Sequence, residues 1–367
     1  MATSLETLDW HVFLARPRLP APSPHALDKL CGERILVTGA GGSIGAALAL
    51  RLASLEPEQL ILLDASESHL FELQAAFADR APEVSVAFML GNIHDATLLE
   101  EVFDLYAPRL VFHAAAFKQV PLLEEQPLAA IANNIFGTRS LVNAAVAHGA
   151  RVVLLSTDKA VEPASVMGAT KRVAEQIVLS AKGAAVRLGN VLASRDSVAE
   201  VFAADLAAGK PLIVTDPAAR RYFLTIDEAV DMLLAAALEP THPTLLAAAL
   251  PTPHFIADLA RFLQSTLAPN NNTTIEFSHL RSGDKEVEKL WSAAEQTHPA
   301  STPGLLAIES PQASTAELRA ALASLRTALS ARDLAAAVAH LRALVPDYTP
   351  SAALCALAEP RAARVSR

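Results

Sequence analysis

From Arg34 the chain reads Arg-Ile-Leu-Val-Thr, then Gly39-Ala40-Gly41-Gly42-Ser43-Ile44-Gly45, then an alanine- and leucine-rich run from Ala46 to Leu55. No other stretch restricts the fold as tightly. A buried strand passes through a glycine turn into a helix. Glycines at 39, 42 and 45 permit the tight turn, let backbone amides approach a pyrophosphate and let the helix pack closely on the strand. The same spacing in isolation would be a weak signal; between a strand and a helix it is a specific one. Gly39, Gly42, Ser43, Ile44 and Gly45 are therefore expected to hold a dinucleotide. The next apolar run, Leu60 to Leu63, ends in Asp64, about twenty residues on, where a carboxylate accepts both hydroxyls of an adenosine ribose. The same carboxylate repels a 2'-phosphate, which points to NAD rather than NADP. The plain alternative for Asp64 is a strand-end turn or a helix cap.

Further strands follow in alternation with helices. Val84 to Leu90 leads to Gly91-Asn92-Ile93, expected along the adenine, and Leu110 to Phe112 leads to His113-Ala114-Ala115-Ala116, small residues that let the backbone pass under a cofactor. Lys118 comes next, at the mouth of the expected site, and Asn134 lies in a helical run from Asn133 to Ala147. Val152 to Leu155 is a continuous apolar run typical of a strand buried on both faces. In open α/β sheets ligands bind at the carboxyl ends of the strands, so Ser156, Thr157, Asp158 and Lys159 emerge where a substrate would lie. Pro163 delays the following helix, which is expected to start near Met167. Residues four apart share a helix face, so Met167 and Lys171 point the same way. Short-chain dehydrogenases place Tyr and Lys at this spacing; here Met stands at the tyrosine position, and none of Tyr106, Tyr222 or Tyr348 has Lys four residues later.

A sixth strand, Ala185 to Arg187, ends in Gly189-Asn190-Val191, after which the alternation loosens. Arg220, Arg221, Arg281 and Lys285 follow in an otherwise acidic chain, and arginines facing a cleft suit a diphosphate. Plain surface charge is the alternative for each. From Ser314 the chain turns helical: Ser314 and Glu317 form a capping box, Leu318, Leu322, Leu325 and Leu329 give an apolar face, and Asp333 caps a second helix, Leu334 to Leu344. The expected fold is α/β, a Rossmann-type doubly wound parallel sheet with a smaller α/β substrate-binding domain and C-terminal helices. Residues 1–30 form an arm with Trp10, Phe13 and Leu14 as anchors, 31–186 the NAD-binding domain, 187–300 the substrate-binding region and 301–367 the helical segment.

Composition removes other classes. A chain of 367 residues buries a large core. Its net charge of −9, without a basic stripe, argues against nucleic acid as partner. No apolar run reaches the length of a bilayer span; the most apolar stretch, Ala229 to Leu250, is broken by Asp231, Glu239, Pro240, His242 and Pro243. Without a signal-peptide core, and with Cys31 and Cys355 at opposite ends, a cytoplasmic location is expected.

With these residues in hand the chain resembles an extended short-chain dehydrogenase/reductase and, more narrowly, the CapD-type polysaccharide-biosynthesis proteins, the UDP-N-acetylglucosamine 4,6-dehydratases. The resemblance runs from about Leu14 to Ser351. It rests on Thr38 to Gly45, Ala115-Ala116-Phe117-Lys118-Gln119-Val120-Pro121, Ser156 to Val161, Met167 to Arg172, Arg187 to Val191, Arg221-Tyr222-Phe223 and Leu280-Arg281-Ser282-Gly283-Asp284-Lys285. It implies an internal redox cycle on a UDP-sugar. Carbon 4 is oxidised by NAD, Lys159 removes the proton on carbon 5, Asp158 helps the carbon 6 hydroxyl leave as water, and hydride returns to carbon 6. Lys171 would hold the nicotinamide ribose, and Ser156 or Thr157 the hydroxyl at carbon 4. Lys118, Asn190, Arg221 and Arg281 would face the substrate, and a homo-oligomer is expected.

The chain departs from the family pattern at several positions. Met167 accepts no proton, so a relay through Thr157 or water to Asp158 is the expectation. Gln119 replaces the usual histidine, Asp196 a glycine, Glu200 a proline, Arg220 a threonine and Ser282 a proline. Two other readings stay open: a dehydratase that inverts carbon 5 or an epimerase, and a non-catalytic NAD-binding sensor.

Overall fold

The computed structural model describes residues 5–240, 242–269, 273–311 and 313–359; residues 1–4 of the arm, and 312 and 360–367 of the C-terminal segment, lie outside the described residues. Its centre is a nine-stranded sheet. Arg34–Thr38 (β1), Gln59–Asp64 (β2), Val86–Leu90 (β3), Leu110–His113 (β4), Arg151–Thr157 (β5), Ala184–Leu188 (β6), Thr244–Ala248 (β7), Gln296–Pro299 (β8) and Leu305–Glu309 (β9) lie in the order β8-β9-β7-β6-β5-β4-β1-β2-β3. The pairs from β3 to β7 are parallel, and β9 and β8 are added antiparallel. The order reverses between β1 and β4. The connections that follow these two parallel strands run to opposite faces of the sheet and open a crevice at the carboxyl ends.

Local sequence explains the placement. The central strands are apolar on both faces because helices cover both: Ile35, Leu36, Val37, Val153 and Leu154 are fully buried. Helices Ser43–Ala53 (α1), Glu67–Arg80 (α2) and Val166–Ser180 (α3) flank the sheet. Ser66 and Ser165 cap α2 and α3 by accepting from the amides of His69 and Gly168. The helix expected from Asn133 starts instead in a π-helical turn, Ile131–Gly137, that passes into α-helix at Thr138–Ala147.

The expected substrate-binding region, 187–300, divides its strands. Its short pairs, Asn190–Val191 with Phe223–Leu224 and His254–Phe255 with Arg220–Arg221, stand apart, while β7 and β8 join the large sheet. Sequence alternation did not reveal β7, β8 and β9, because β7 is an alanine-rich run that reads equally as helix and β8 is largely polar.

A second apolar cluster gathers on that side. Trp10, Phe13 and Leu14 of the arm bury against Phe202, Phe223, Leu259 and Leu263, with the Phe13 and Phe223 rings 5.5 Å apart in an edge-to-face arrangement. Arg16 fastens the arm through a two-pronged pair with buried Glu228, at 2.5 and 2.9 Å. The C-terminal helices Thr315–Ser330 and Leu334–Leu344 pack on α3, with the capping box of Ser314 and Glu317 and the cap of Asp333 formed as read. No helix among the described residues is long and apolar enough to cross a membrane.

Candidate active site

A cleft of about 860 Å³ opens at the carboxyl ends of the parallel strands. That is within the range of small-ligand and cofactor sites. It gathers eighteen residues singled out in the sequence: Gly39, Gly42, Ser43, Ile44, Gly45, Asp64, Asn92, Ile93, Ala114, Ala115, Lys118, Ser156, Thr157, Lys159, Met167, Lys171, Asn190 and Arg221; Arg281 lines it as well. Asp158 is not among them. It is wholly buried and lies behind this surface.

The glycine turn is built for an anion. Gly39 has φ 68°, and a Cβ there would lie 2.6 Å from the amide nitrogen of Ala115; one on Gly45 would lie 2.1 Å from the carbonyl oxygen of Gly39. Side chains are excluded, so β1, α1 and the 114–116 segment close on one another. Helix α1 then starts with no side chain capping its first turn, leaving amides aimed into the cleft. Asp64 accepts from the amide of Gly41 at 2.8 Å and from that of Ser66 at 2.8 Å, which fixes its carboxylate beside the turn. A carboxylate has about four acceptor positions, so capacity remains for ribose hydroxyls. These residues fit a dinucleotide.

Beneath the turn, His113 is fixed and uncharged. Burial, assisted by the charge of Lys171, pushes it down to about 3. Thr138 donates to the carbonyl of Asn134 at 2.7 Å, so it must accept from His113 Nε2–H at 2.8 Å, which leaves Nδ1 to accept from Thr38 at 2.8 Å. The π-helical turn carries Asn134, whose amide brackets Phe117 by accepting from its N–H at 2.9 Å and donating to its carbonyl at 3.0 Å. Asn134 also donates to Thr170, tying the segment before Lys118 to α3.

At the end of β5 the side chains alternate. Ser156 lines the cleft wall, but its hydroxyl is directed into Glu175, to which it donates at 2.6 Å. Glu175 is one member of a buried network with Arg187, Glu295 and Arg172. Of the two hydroxyls expected near a substrate, Thr157 therefore has the free line of approach. It donates to Asp158 Oδ1 at 3.0 Å. Lys159 Nζ donates to the same oxygen at 3.0 Å and to Asn190 Oδ1 at 3.0 Å, with Glu288 Oε1 at 3.9 Å. Asp158 Oδ2 is buried without a partner.

The electrostatics depart from expectation at Lys159. A lysine base needs a lowered pKa, and burial acts in that direction, but Asp158 and Glu288 outweigh it and Lys159 is raised. Asp158 is also raised, by its burial above all. Lys171 is lowered to about 8 by burial, and its ammonium donates to the carbonyl of Leu155 at 2.6 Å. Met167, four residues before it, presents only a thioether to the cleft.

Other expected residues separate. Arg221 lines the cleft but one of its nitrogens is held by the carbonyls of Arg220 and Glu286. Arg220 leaves the site altogether, its guanidinium 4.1 Å from the centre of the Phe255 ring. Lys285 pairs with Glu288 at 2.7 Å and donates to the carbonyl of Val161, so it faces the lysine's carboxylate rather than the cleft. Glu288 was not singled out in the sequence. Its one signal was its place three residues beyond Lys285, where the last matched motif ends.

This fold and cleft define a short-chain dehydrogenase/reductase of the extended type, with a nucleotide cradle on one side and a smaller cap on the other. Comparison with known proteins narrows it. The family described as polysaccharide biosynthesis protein matches residues 35–310, and the chain belongs to that family. It is 35% identical over 299 residues to the probable polysaccharide biosynthesis protein EpsC of Bacillus subtilis, covering 78% of this chain and 50% of that protein. It is 37% identical over 284 residues to the capsular polysaccharide biosynthesis protein CapD of Staphylococcus aureus, covering 74% and 47%. The chain thus spans about half the length of these relatives. A UDP-glucose 4-epimerase of Rickettsia canadensis is 31% identical over 71% of this chain and 78% of its own. Among solved structures, Pen from Bacillus thuringiensis superposes with a TM-score of 0.70 at 26% identity, over 78% of this chain and 89% of that one. TunA, described as an NAD-dependent NDP-hexosamine 5,6-dehydratase, does so with a TM-score of 0.56 at 26% identity, over 70% and 87%.

Proposed function

We propose that the chain is a nucleotide-sugar 4,6-dehydratase that uses NAD and acts on UDP-N-acetylglucosamine, giving a 4-keto-6-deoxy sugar for surface polysaccharide. The observation that carries this reading is the end of β5, where Thr157 and Lys159 line the cleft and both contact one oxygen of buried Asp158. The cofactor would supply reversible hydride storage, taken from carbon 4 and returned at carbon 6.

The residues divide the proton traffic. Thr157, already donating to Asp158, accepts the proton of the carbon 4 hydroxyl as it passes its own to that carboxylate. This relay stands in for the phenol that Met167 lacks. Burial favours the protonated form of Asp158, which then returns the proton through Thr157 to the departing hydroxyl at carbon 6. Lys159 takes the proton from carbon 5 as a neutral amine. Two carboxylates hold it as an ammonium; protonation of Asp158 removes one of them, and the ammonium then releases its proton to water in the cleft before it acts as the base. Lys171 and the amides of α1 hold the cofactor, while Lys118, Asn190, Arg221 and Arg281 face the nucleotide sugar.

The test is incubation with UDP-N-acetylglucosamine and NAD in deuterium oxide, read by mass spectrometry and proton NMR beside Lys159→Ala. A product lighter by one water, deuterated at carbon 5 and absent in the variant, is the expected result. Unchanged sugar across a panel of UDP-sugars, while NAD binds, would overturn the reading in favour of a sensor. The same base and ketone also serve inversion at carbon 5 or epimerisation; the similarity to a UDP-glucose 4-epimerase favours that second reading, and product coupling constants separate the two.

A further inference from the structure

The segment at residues 192–197 is tied across the cleft by contacts that neither the family likeness nor the sugar chemistry requires. It leaves the Asn190–Val191 strand on the cap side and crosses to the nucleotide side. There the amide of Arg195 donates to Ser43 Oγ at 2.8 Å. Its guanidinium reaches the carbonyl of Gly41 at 3.5 Å and pairs with Glu72 on α2. From the opposite wall, Lys118 Nζ donates to the Arg195 carbonyl. One residue therefore joins the start of α1, the face of α2 and the segment after β4.

The backbone is shaped for this crossing. Ala193 and Asp196 lie at φ 56° and 55°, in the left-handed region that L side chains rarely adopt. Asp196 is held there by its amide, which donates to Glu200 Oε2 at 2.7 Å. Asp196 and Glu200 are two of the positions where the chain departs from its family pattern, and together they brace the turn. Leu192, Ser194, Arg195, Asp196 and Ser197 line the same cleft as Gly42 and Ser43.

We propose that residues 192–197 form a strap that locks the dinucleotide in place, with Arg195 as its latch. A pyrophosphate on the first turn of α1 would sit against Ser43, whose oxygen already holds the strap, so its release would require that contact and the Glu72 pair to open. Ser43 serves both partners: its oxygen accepts from the strap, and its hydroxyl hydrogen stays free to donate to a phosphate oxygen. Retention suits a reaction that regenerates its cofactor in each cycle, because nothing then needs to exchange between turnovers. The proposal rests on the dinucleotide reading of the glycine turn and is independent of which sugar is used.

The experiment is NADH release, followed by fluorescence after displacement with excess NAD, for the wild type, Arg195→Ala and Glu72→Gln at low and high salt and without sugar nucleotide. Both side chains reach solvent, so the variants keep the fold. Release about tenfold faster in Arg195→Ala and about threefold faster in Glu72→Gln is expected, with the wild type alone quickened by salt, because a half-exposed ion pair is screened. Release rates within about twofold of the wild type in both variants would overturn the strap. A wild type that binds neither NADH nor NADPH would overturn it together with the dinucleotide reading. Strap-dependent release from a protein that leaves every sugar nucleotide unchanged would support the strap and overturn only the dehydratase.

Discussion

Lys159 Nζ lies 3.0 Å from Asp158 Oδ1, and the two form an ion pair in which only the lysine reaches the cleft. Asp158 acts on the cleft through its neighbours, Thr157 on one side and Lys159 on the other.

Replacing Asp158 by Asn should therefore stop two steps at once. The relay from Thr157 loses its acceptor and the carbon 6 hydroxyl loses its acid, so dehydration should fall by about 10²- to 10⁴-fold, the usual span of general acid–base catalysis. Single-turnover NADH formation should slow as well. Full-rate oxidation at carbon 4 in this variant would show that the proton leaves by another route.

Lys171 should make both stability and cofactor affinity depend on alkaline pH. Its folded-state pKa, about 8, is below the ordinary 10.5, so the buried ammonium opposes folding when charged. That cost is fully present below about pH 8 and fades as pH rises toward 10.5, where the amine is neutral in both states. Lys171→Met should accordingly raise the melting temperature of the cofactor-free protein at neutral pH, with the gain shrinking above pH 8. NADH affinity of the wild type should weaken over the same window, as titration calorimetry across pH would record.

Asp64 should set the choice between cofactors. Asp64→Ser removes the carboxylate proposed to meet the adenosine ribose and should improve NADP affinity relative to NAD by about tenfold, near 1.4 kcal/mol, the scale of one charged contact. Equal affinities of the wild type for both cofactors would contradict this.

Arg187 should be a structural keystone. It is wholly buried and bonds Glu175 and Glu295 on both prongs, at 2.8 to 3.0 Å. Arg187→Met leaves two buried carboxylates to share the single guanidinium of Arg172, a loss of about 3–5 kcal/mol in denaturant unfolding. Burial would push Glu295 up, but Arg187 holds it down to about 2, so this pairing stabilises the wild type above about pH 4.5 and is lost as pH falls toward 2. The variant should show a flatter acid limb.

Much of the site was legible because backbone geometry speaks through residue type. Gly39 and Gly45 sit where a Cβ would strike backbone, and Asp64 ends β2 beside the turn, so sequence alone located them. The strands that alternate with helices were equally readable. Harder to see were contacts that depend on which way a side chain turns at a strand end: Ser156 and Thr157 are adjacent and chemically alike, yet the hydroxyl of one donates to Glu175 in the ion network and that of the other to Asp158. The charge state of Lys159 was hidden for a related reason, since Glu288 approaches it across 129 residues of chain. Arg195 was not singled out at all, because its partners in α1 and α2 are more than a hundred residues away in the chain.

The π-helical turn at Ile131–Gly137 has an effect on the chain's tolerance of insertions and deletions. One extra residue in a turn rotates everything after it by about 100° relative to a regular α-helix. Thr138 meets His113, and Asn134 meets Phe117, only in the rotated phase. Loss of a single residue here would break no strand, but it would turn one of these two partners out of the floor of the cleft. A one-residue gap that a sequence comparison would pass over as noise is thus a place where a descendant of this chain could keep its fold and lose its site.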